Sequence, residues 1–409
     1  MKHLILLGDG MADYPISSLG GKTPLEFANT PNMDRMASEG TLGLIDTIPE
    51  GLSPGSDVAN LAVLGYDPGN NYSGRGPLEA ASMDVQMGPD DVAFRCNLVT
   101  TKEGNDPLML DFTSGHINSD EAKEIVYDLH KELGSEDFAF YPGVSYRHLL
   151  LWKNGISGME TIPPHDITGQ GINDFLPKGE GARQLNDLMR RAQRVLQNHP
   201  VNLRRIKEGK KPANSIWLWG QGRAPKFTTL TEKYNLRGGM ISAVDLLKGI
   251  GVYAGLKVIR VDGATGYTDT NYIGKAKKAI DALQELDFIY LHVESPDEMG
   301  HEGDIEGKIQ AIEDFDKMVV GTILEDIQKF SSFRVMVLSD HPTPVTTMTH
   351  GSDPSPFAVY SSRRNENMSR GDFFGETSAK KAGILVSPGY RLMDFFIGDW
   401  RGFVEEKSH

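Results

Sequence analysis

The stretch from Phe333 to His350 carries residue types that can hold a divalent cation. Its apolar run, Phe333–Leu338, predicts a buried strand, and Asp340 and His341 follow that run directly. A loop rich in Pro and Thr then leads to His350. One carboxylate and two imidazoles at a strand end form a ligand set for a hard or borderline cation. A polar loop after a core strand has the same composition, so this stretch alone leaves both interpretations open.

A second stretch pairs a carboxylate with an imidazole. Leu286–Val293 predicts another buried strand, and Asp297 and His301 follow it four positions apart. Side chains with this spacing share a face if a helical turn forms, and Pro296 suits the first turn of a helix. The alternative is a capping loop before the long helix predicted by the apolar positions from Ile305 to Ile327.

Near the start of the chain, His3–Leu7 predicts a buried strand that ends at Asp9. Glycines at 8 and 10 let the backbone turn sharply and leave the carboxylate unobstructed. An aspartate in a strand-ending turn is also common for structural reasons alone.

Ser56 precedes Val58–Leu64, which we expect to be helical. The simplest interpretation of Ser56 is an N-cap. The start of a helix also presents free amide donors and the positive end of the dipole, which suit a phosphoryl group. A cation at its oxygen would make Ser56 a nucleophile near neutral pH.

Strands that alternate with helices predict an α/β fold with a largely parallel sheet. The pattern also predicts a helix at Ile241–Leu256 and a strand at Leu256–Val261. Functional groups in such sheets meet at the carboxyl ends of the strands, and three Asp, three His and one Ser suffice for two adjacent cations. The candidate residues are Asp9, Ser56, Asp297, His301, Asp340, His341 and His350.

Composition limits the class of protein. The 409 residues favour two domains, and 39% hydrophobic and 24% charged residues are typical of a globular protein. A net charge of −14 argues against nucleic acid and anionic membrane as partners but allows a small anionic substrate. The single cysteine, Cys96, excludes an internal disulfide and fits a reducing compartment. The apolar start is interrupted by Asp9 and Asp13, which argues against a signal peptide, so we expect a cytoplasmic protein.

Five motifs together resemble the cofactor-independent phosphoglycerate mutases of the alkaline phosphatase superfamily, in the shorter branch typical of archaea. The motifs are Gly8-Asp9-Gly10, Thr30–Ala37, Ser53–Pro68, Pro296–Gly303 and Ser339–His350. The resemblance implies one metal site of Asp9, Ser56, Asp340 and His341, and a second of Asp297, His301 and His350. It also implies that Ser56 accepts the phosphoryl group, that manganese is the usual cation, with magnesium, cobalt or zinc acceptable to the same ligands, and that no 2,3-bisphosphoglycerate is required.

The resemblance further implies an alkaline-phosphatase-like catalytic domain, a mostly parallel sheet between helices, formed by residues 1–74 and 236–409. A smaller α/β or α+β domain, residues 75–235, would be inserted into it and close over the substrate. His116 resembles a family histidine beside the substrate, and Arg223 resembles one of a pair of phosphate-binding arginines. The chain departs from the longer enzymes here, because a second arginine does not follow Arg223 closely and none follows Asp166.

The substrate-binding candidates within the insert are therefore Arg75, Arg95, Arg147, Asp166 and Arg223. His116 and Lys275 are the candidates for proton transfer. The implied reaction interconverts 3-phosphoglycerate and 2-phosphoglycerate through a phosphoserine. Alternatives are a homoserine kinase-type phosphotransferase of the same family, a metal-dependent phosphatase and, from another class, a non-catalytic metal-binding protein. The expected partner is a small phosphorylated substrate, and the expected assembly is a monomer or small homo-oligomer.

Overall fold

The structure, a computed structural model, describes residues 1–102, 104, 107–368 and 371–407. These residues form two compact units. The first unit consists of Met1–Tyr72 and the described residues from Lys226 onward, and the second consists of Ser73–Pro225. The predicted role of the middle segment in closing over a substrate stays a prediction.

Both units combine strands and helices. The strands in the described residues are β1 (Lys2–Gly8), β2 (Thr41–Ile45), β3 (Val92–Lys102), β4 (Leu108–Asp111), β5 (Phe138–Tyr141), β6 (Arg147–Trp152), β7 (Ser215–Gly222), β8 (Gly238–Ile241), β9 (Lys257–Val258), β10 (Phe288–Val293), β11 (Phe333–Leu338), β12 (Ser355–Ser361) and β13 (Leu385–Val386). The α-helices are α1 (Pro24–Phe27), α2 (Pro31–Glu39), α3 (Ser56–Val63), α4 (Pro68–Asn71), α5 (Arg75–Ser82), α6 (Ser119–Leu133), α7 (Ala182–Gln197), α8 (Pro200–Lys207), α9 (Leu230–Tyr234), α10 (Asp245–Tyr253), α11 (Tyr272–Ala282), α12 (Ser295–Glu302), α13 (Ile305–Asp314), α14 (Gly321–Asp326), α15 (Glu376–Ala382), α16 (Leu392–Ile397) and α17 (Trp400–Lys407).

The first unit is built on an eight-stranded sheet in the order β13-β2-β12-β11-β1-β10-β8-β9. Its pairs are parallel except for the two made by β12, which runs antiparallel to β11 and β2. The predicted α/β class with a mostly parallel sheet is confirmed. The carboxyl ends of β1, β10 and β11 therefore meet at one edge of the sheet, because these three neighbouring strands run in the same direction.

The three central strands are apolar along their length because helices cover both faces of a parallel sheet. Every residue of β10 and β11 is buried, and so is β1 from His3 to Gly8. The predicted long helix consists of α13, a π-helical turn at Phe315–Val320 and α14. Its apolar side chains, Phe315 and Ile323 among them, join the core cluster of the first unit.

Two predicted elements after residue 236 are present but shorter than predicted. The helix predicted at Ile241–Leu256 begins only at Asp245, because Gly238–Ile241 forms β8. The strand predicted at Leu256–Val261 is limited to Lys257–Val258. Glycine has low strand propensity, so the pattern concealed β8. The glycine at 238 fits a close approach, since a Cβ there would clash with Leu256 Cδ2.

The second unit is built on a five-stranded sheet in which β4, β3, β6 and β5 are neighbours and β7 also pairs with β3. All of its pairs are antiparallel. One face packs on α6 and α7 in a separate core that includes Phe94, Leu150 and Leu218. This arrangement is α+β.

The helices of both units lack the length and apolar character that a membrane span requires. Within the described residues, each helix is too short or too polar to cross a bilayer.

A buried histidine in β1 generates a prediction about stability and pH. His3 is 4% exposed, its ring lies 5.6 Å from Phe396, and neither ring nitrogen has a hydrogen-bond partner among the described residues. Burial, followed by the nearby Arg334 charge, lowers the pKa of His3 from 6.5 to about 3. The folded state thus resists protonation, so stability is lost as pH falls from 6.5 towards 3.

We expect His3→Leu to remove this part of the pH dependence. The free energy of unfolding of the wild type should fall between pH 7 and pH 5 by up to about 2 kcal/mol more than that of the variant. Urea unfolding at both pH values measures the difference. Equal losses in the two proteins would contradict the assignment.

Candidate active site

Ser56 lies at the first residue of α3, and its hydroxyl faces two of the predicted ligands. Ser56 Oγ donates a hydrogen bond to Asp9 Oδ1 at 3.5 Å and lies 3.3 Å from His341 Nε2. The expectation that Ser56 is the N-cap was wrong, because Gly55 takes that position. The hydroxyl is thereby left to face Asp9 and His341 at a helix N-terminus.

Asp340 is oriented by donors from two other elements. Its Oδ1 accepts from the amide of Gly10 at 3.1 Å, and its Oδ2 accepts from Asn60 Nδ2 at 2.8 Å. Asn60 sits one turn after Ser56 on α3, where it also donates to the Ser56 carbonyl, and the Tyr290 hydroxyl donates to its amide oxygen. The carboxylate at the end of β11 is thus fixed relative to the helix that carries Ser56.

Asp297, His301 and His350 form a second group. Asp297 and His301 share a face of α12, as their spacing predicted, with His301 Nε2 at 3.3 Å from Asp297 Oδ2. His350 Nε2 lies 2.9 Å from His301 Nε2 and 3.6 Å from Asp297 Oδ1. Thr343 Oγ1 donates to Asp297 Oδ1 at 2.5 Å. Two imidazole nitrogens and a carboxylate therefore point at one centre.

The two groups are adjacent. The rings of His341 and His350 are 4.5 Å apart between centroids. The possible ligand atoms of Asp9, Asp340 and His341 lie within 4.8 Å of one another, and so do those of Asp297, His301 and His350. The structure thus brings all the nominated metal ligands and Ser56 into one cluster, and their roles stay predictions.

A third group of converging side chains was missed by the sequence analysis. His292 and Glu294 meet Asp9 at the end of β10, with His292 Nε2 at 2.8 Å from Asp9 Oδ2 and 3.3 Å from Glu294 Oε2. The other ring nitrogen, Nδ1, lies 3.2 Å from Ser242 Oγ. The signal for His292 was a single polar residue inside an otherwise apolar strand.

The electrostatics of the cluster fit a cation-binding role. Burial, followed by the neighbouring Asp340 and Glu294 carboxylates, raises the pKa of Asp9 well above its ordinary value. Burial and then Asp297 raise the pKa of Glu294 in the same way. Buried like charges are costly unless a counter-charge is present. Carboxylate oxygens and imidazole nitrogens that converge in this way are a donor set that divalent cations satisfy.

In the second group, hydrogen bonds between the carboxylate and the imidazoles outweigh the effect of burial on the pKa of the carboxyl group. Burial alone would raise the pKa of Asp297, yet hydrogen bonds with His301 and His350 hold it well below its ordinary value. The same contact with Asp297 raises the pKa of His301 to about 9. Burial lowers the pKa of His341, which favours its neutral, ligating form.

Lys275, a nominated proton-transfer residue, is fully buried on α11. Its Nζ donates to the His292 carbonyl at 3.3 Å, and burial lowers its pKa to about 8. Its charge acts on Glu294 and His292. These interactions place Lys275 near His292 and Glu294. A part of Lys275 in proton transfer stays a prediction.

In the second unit, two nominated arginines lie beside one tryptophan, and the charge of a third, Arg147, acts on one of them. The guanidinium carbons of Arg75 and Arg95 lie 5.7 Å and 5.0 Å from the ring centre of Trp219. Asn97 and Arg147 are opposite each other on β3 and β6, and the Asn97 side chain accepts from Trp219 Nε1 at 3.0 Å. The charges of Arg75 and Arg147 both help to lower the pKa of Arg95, although burial is the largest cause.

Aromatic rings connect this arginine cluster with His116 and Asp166. His165 lies 5.6 Å from Trp219 and 5.8 Å from Phe112 between ring centroids, and Asp166 Oδ1 is 3.5 Å from His165 Nε2. The ring of Tyr146 lies 5.9 Å from Phe112 and 6.5 Å from that of His116. Sequence reasoning missed these aromatic residues because contact across strands and loops, rather than a motif, brings them together.

Arg223 occupies a different position in this unit. It pairs with Asp90 at 2.8 Å and donates to the Gly155 carbonyl at 3.1 Å. These contacts do not place it with the arginines around Trp219, and its phosphate-binding role stays a prediction.

Comparison with known proteins decides the family. The family model described as "2,3-bisphosphoglycerate-independent phosphoglycerate mutase" matches residues 37–202, and one described as "Type I phosphodiesterase / nucleotide pyrophosphatase" matches residues 165–351. A protein of Geobacter sulfurreducens, named a probable 2,3-bisphosphoglycerate-independent phosphoglycerate mutase, is 54% identical over 97% of this chain and 100% of its own. A protein of Methanosarcina barkeri, named a 2,3-bisphosphoglycerate-independent phosphoglycerate mutase, is 55% identical over 94% of this chain and 96% of its own.

The chain belongs to the 2,3-bisphosphoglycerate-independent phosphoglycerate mutases. A solved structure from Pyrococcus horikoshii is similar with a TM-score of 0.82, at 32% identity over 97% of each chain. The resemblance drawn from the motifs is therefore confirmed for the family and for the fold.

Gly10 supplies a test of how closely this mutase-family site is packed. It has φ +59°, and a Cβ would lie 2.6 Å from both Asp297 Oδ1 and Thr343 Oγ1. Gly20 has a similar φ of +68° but nothing within 4 Å of its Cβ position, which makes it a matched control. Both alanine variants should lose ~1 kcal/mol of stability from the left-handed backbone.

We expect only Gly10→Ala to disturb the ligands, because only its methyl group meets Asp297. Titration calorimetry with Mn²⁺ should show binding weakened about tenfold, a loss of ~1.4 kcal/mol, in Gly10→Ala and little changed in Gly20→Ala. Equal affinity in the two variants would show that the Asp297 contact does not matter for cation binding.

Proposed function

We propose that this protein interconverts 3-phosphoglycerate and 2-phosphoglycerate by passing the phosphoryl group through Ser56. The observation that carries the proposal is the position of the Ser56 hydroxyl, at a helix start and within 3.5 Å of Asp9 and His341, in a chain of this family. A hydroxyl so placed suits attack on a phosphate whose oxygens are held by cations and amide donors.

Two divalent cations are the proposed cofactors. Manganese is the first choice, and magnesium, cobalt and zinc are the alternatives. Asp9, Ser56, Asp340 and His341 would hold one, and Asp297, His301 and His350 would hold the other. When bound, such a pair stabilises charge on the entering and leaving oxygens of an in-line phosphoryl transfer. We propose no requirement for 2,3-bisphosphoglycerate, since Ser56 itself carries the phosphoryl group between the two hydroxyls of glycerate.

Side chains of the protein would carry out the separate steps of the reaction. Ser56 Oγ, as the alkoxide, forms a bond to phosphorus as the bond to the 3-oxygen of glycerate breaks, and the reverse step delivers phosphorus to the 2-oxygen and restores the alkoxide. His116 would give a proton to the departing oxygen and remove one from the attacking hydroxyl. The low pKa of Lys275, about 8, makes that amine a second candidate for holding a proton near neutral pH.

The second unit would bind the glycerate part of the substrate. Arg75 and Arg95 supply positive charge beside Trp219, and Arg147 adds a charge that acts on Arg95. Guanidinium groups bind carboxylates and phosphates with two parallel hydrogen bonds. Glu79 pairs with Arg95 at 3.1 Å and fixes its direction. Asp166 and Arg223 stay weaker candidates, because their side chains pair with His165 and Asp90. Closure of this unit would keep water from the phosphoserine while glycerate reorients.

The assay that decides between related activities compares substrates directly. With Mn²⁺, conversion of 3-phosphoglycerate to 2-phosphoglycerate is followed by coupling to enolase, and in parallel the protein is offered ATP and homoserine. Release of inorganic phosphate at the rate of substrate loss would indicate a phosphatase. Transfer to homoserine without mutase turnover would overturn the proposal. We propose a cytoplasmic enzyme, consistent with a single, buried cysteine.

Ser56→Ala tests the covalent route. The variant should lose mutase activity by at least about 10⁴-fold, because it lacks the hydroxyl that accepts the phosphoryl group. Acid-quenched wild type should carry a phosphoryl group on Ser56, seen by mass spectrometry of the peptide, and the variant should not. Substantial turnover by Ser56→Ala would contradict the phosphoserine route even if the mutase activity itself were confirmed.

A further inference from the structure

The loop between β4 and α6 contains three consecutive residues in the left-handed region. The φ angles of Ser114, Gly115 and His116 are +51°, +64° and +48°. Glycine adopts this region freely, but a residue with a Cβ pays ~1–2 kcal/mol for it. Two of the three positions are thus strained, and strain of this kind persists only where surrounding contacts hold it.

The strained turn separates buried from exposed side chains. Ser114 is fully buried, and its hydroxyl has no hydrogen-bond partner among the described residues. Ile117 is also buried, whereas His116 between them is exposed beside Tyr146. The side chain of Ser114 therefore does not offset the strain, and the visible consequence of the turn is the outward direction of His116.

Arg205 on α8 contacts the turn through its buried guanidinium group. It is 2% exposed, and its Nη2 donates to the Ser114 carbonyl at 2.6 Å. Its Nη1 donates to Glu121 Oε2 at 2.5 Å, and its Nε donates to the Lys211 carbonyl at 2.9 Å. All three kinds of guanidinium nitrogen are engaged, so the head group has a fixed direction.

Further hydrogen bonds that hold the turn come from the residues just before it. The His116 amide donates to Thr113 Oγ1 at 3.0 Å, and Asp111 Oδ1 accepts from the Thr113 hydroxyl at 2.6 Å. These bonds fix the start of the turn. The carbonyl of its first residue, Ser114, accepts from Arg205, which belongs to another element.

We propose that Arg205 is a positioning residue for His116, acting through the Ser114 carbonyl to hold the strained turn that presents the imidazole to substrate. The inference rests on the proposed function of His116 as the group that exchanges protons with the glycerate hydroxyls. Arg205 itself does not touch substrate.

The chain supplies a matched control on the same helix. Arg204 pairs with Glu124 of α6 at 3.7 Å, just as Arg205 pairs with Glu121 of α6, but the Arg204 side chain is 48% exposed. Arg205→Gln should lower kcat about tenfold or more with KM within about threefold, because a small misplacement of a proton-transfer group slows chemistry more than binding. Arg204→Gln should change neither constant by more than about twofold.

A double-mutant cycle with His116→Gln separates positioning from general stability. If Arg205 acts through His116, Arg205→Gln should have almost no further effect on kcat once His116 is absent. Losses that multiply in the double variant would overturn the proposal. Thermal unfolding of each protein shows the loss of stability, which is expected in both backgrounds alike.

A second pair of variants covers the case in which Arg205→Gln does not fold. Glu121→Gln keeps the arginine but removes the charge that orients it, and Glu124→Gln is its control. Carbon-labelled histidine NMR of the complete protein should show the His116 ring resonance shifted or broadened in Glu121→Gln only, with the signal assigned by its loss in His116→Gln. An unchanged His116 resonance would overturn the proposal. This measurement needs no substrate, so it stays informative even if the mutase assay fails.

Discussion

The structure of the first unit must compensate the mutual repulsion of its buried carboxylates. Asp9, Asp340 and Asp297 are fully or almost fully buried, and Glu294 stands beside them. Each comes from the end of a strand or the helix after it, so the sheet cannot form without bringing them together. Their charges are tolerated only because amide donors, imidazoles and the ammonium group of Lys275 surround them, and because divalent cations can complete the compensation.

The surrounding structure holds these groups through the backbone as much as through side chains. Lys308, fully buried on α13, pairs with Asp13 at 2.7 Å and donates to the Thr343 carbonyl at 2.8 Å. The Thr343 hydroxyl in turn donates to Asp297. One ammonium group therefore connects the loop after β1 with the loop after β11. Such contacts keep ligand positions fixed when neighbouring charges change, which phosphoryl transfer requires.

In the second unit, the like charges that lie near one another are positive. Arg75, Arg95 and Arg147 repel one another, and the Trp219 ring and Glu79 offset part of that repulsion. A cluster of carboxylates and imidazoles is a donor set for divalent cations, whereas guanidinium groups are donors to carboxylates and phosphates. The left-handed turn at Ser114–His116 presents an imidazole in this unit at a conformational cost.

The sequence by itself predicted the α/β class, the cluster of Asp9, Ser56, Asp297, His301, Asp340, His341 and His350, and the family. These residues come directly after apolar strands or start helices, and parallel strands bring such positions to one edge of the sheet. The asparagine at 60 and the histidine at 292 were missed because they lie inside a helix and a strand, where only the lateral neighbours Asp340 and Asp9 reveal a functional contact.

Tertiary structure also decided which cationic residues share a site. Spacing along the chain does not relate Arg75, Arg95 and Arg147. The pairing of β3 with β6 and β7, together with the packing of α5 on β3, brings Arg75 and Arg95 to Trp219 and Arg147 near enough for its charge to act on Arg95. The same pairing leaves Arg223 with Asp90. Local sequence determines where a strand ends and which residues come next, but the side chains that meet across a sheet depend on register and on non-local packing, which a single sequence does not display.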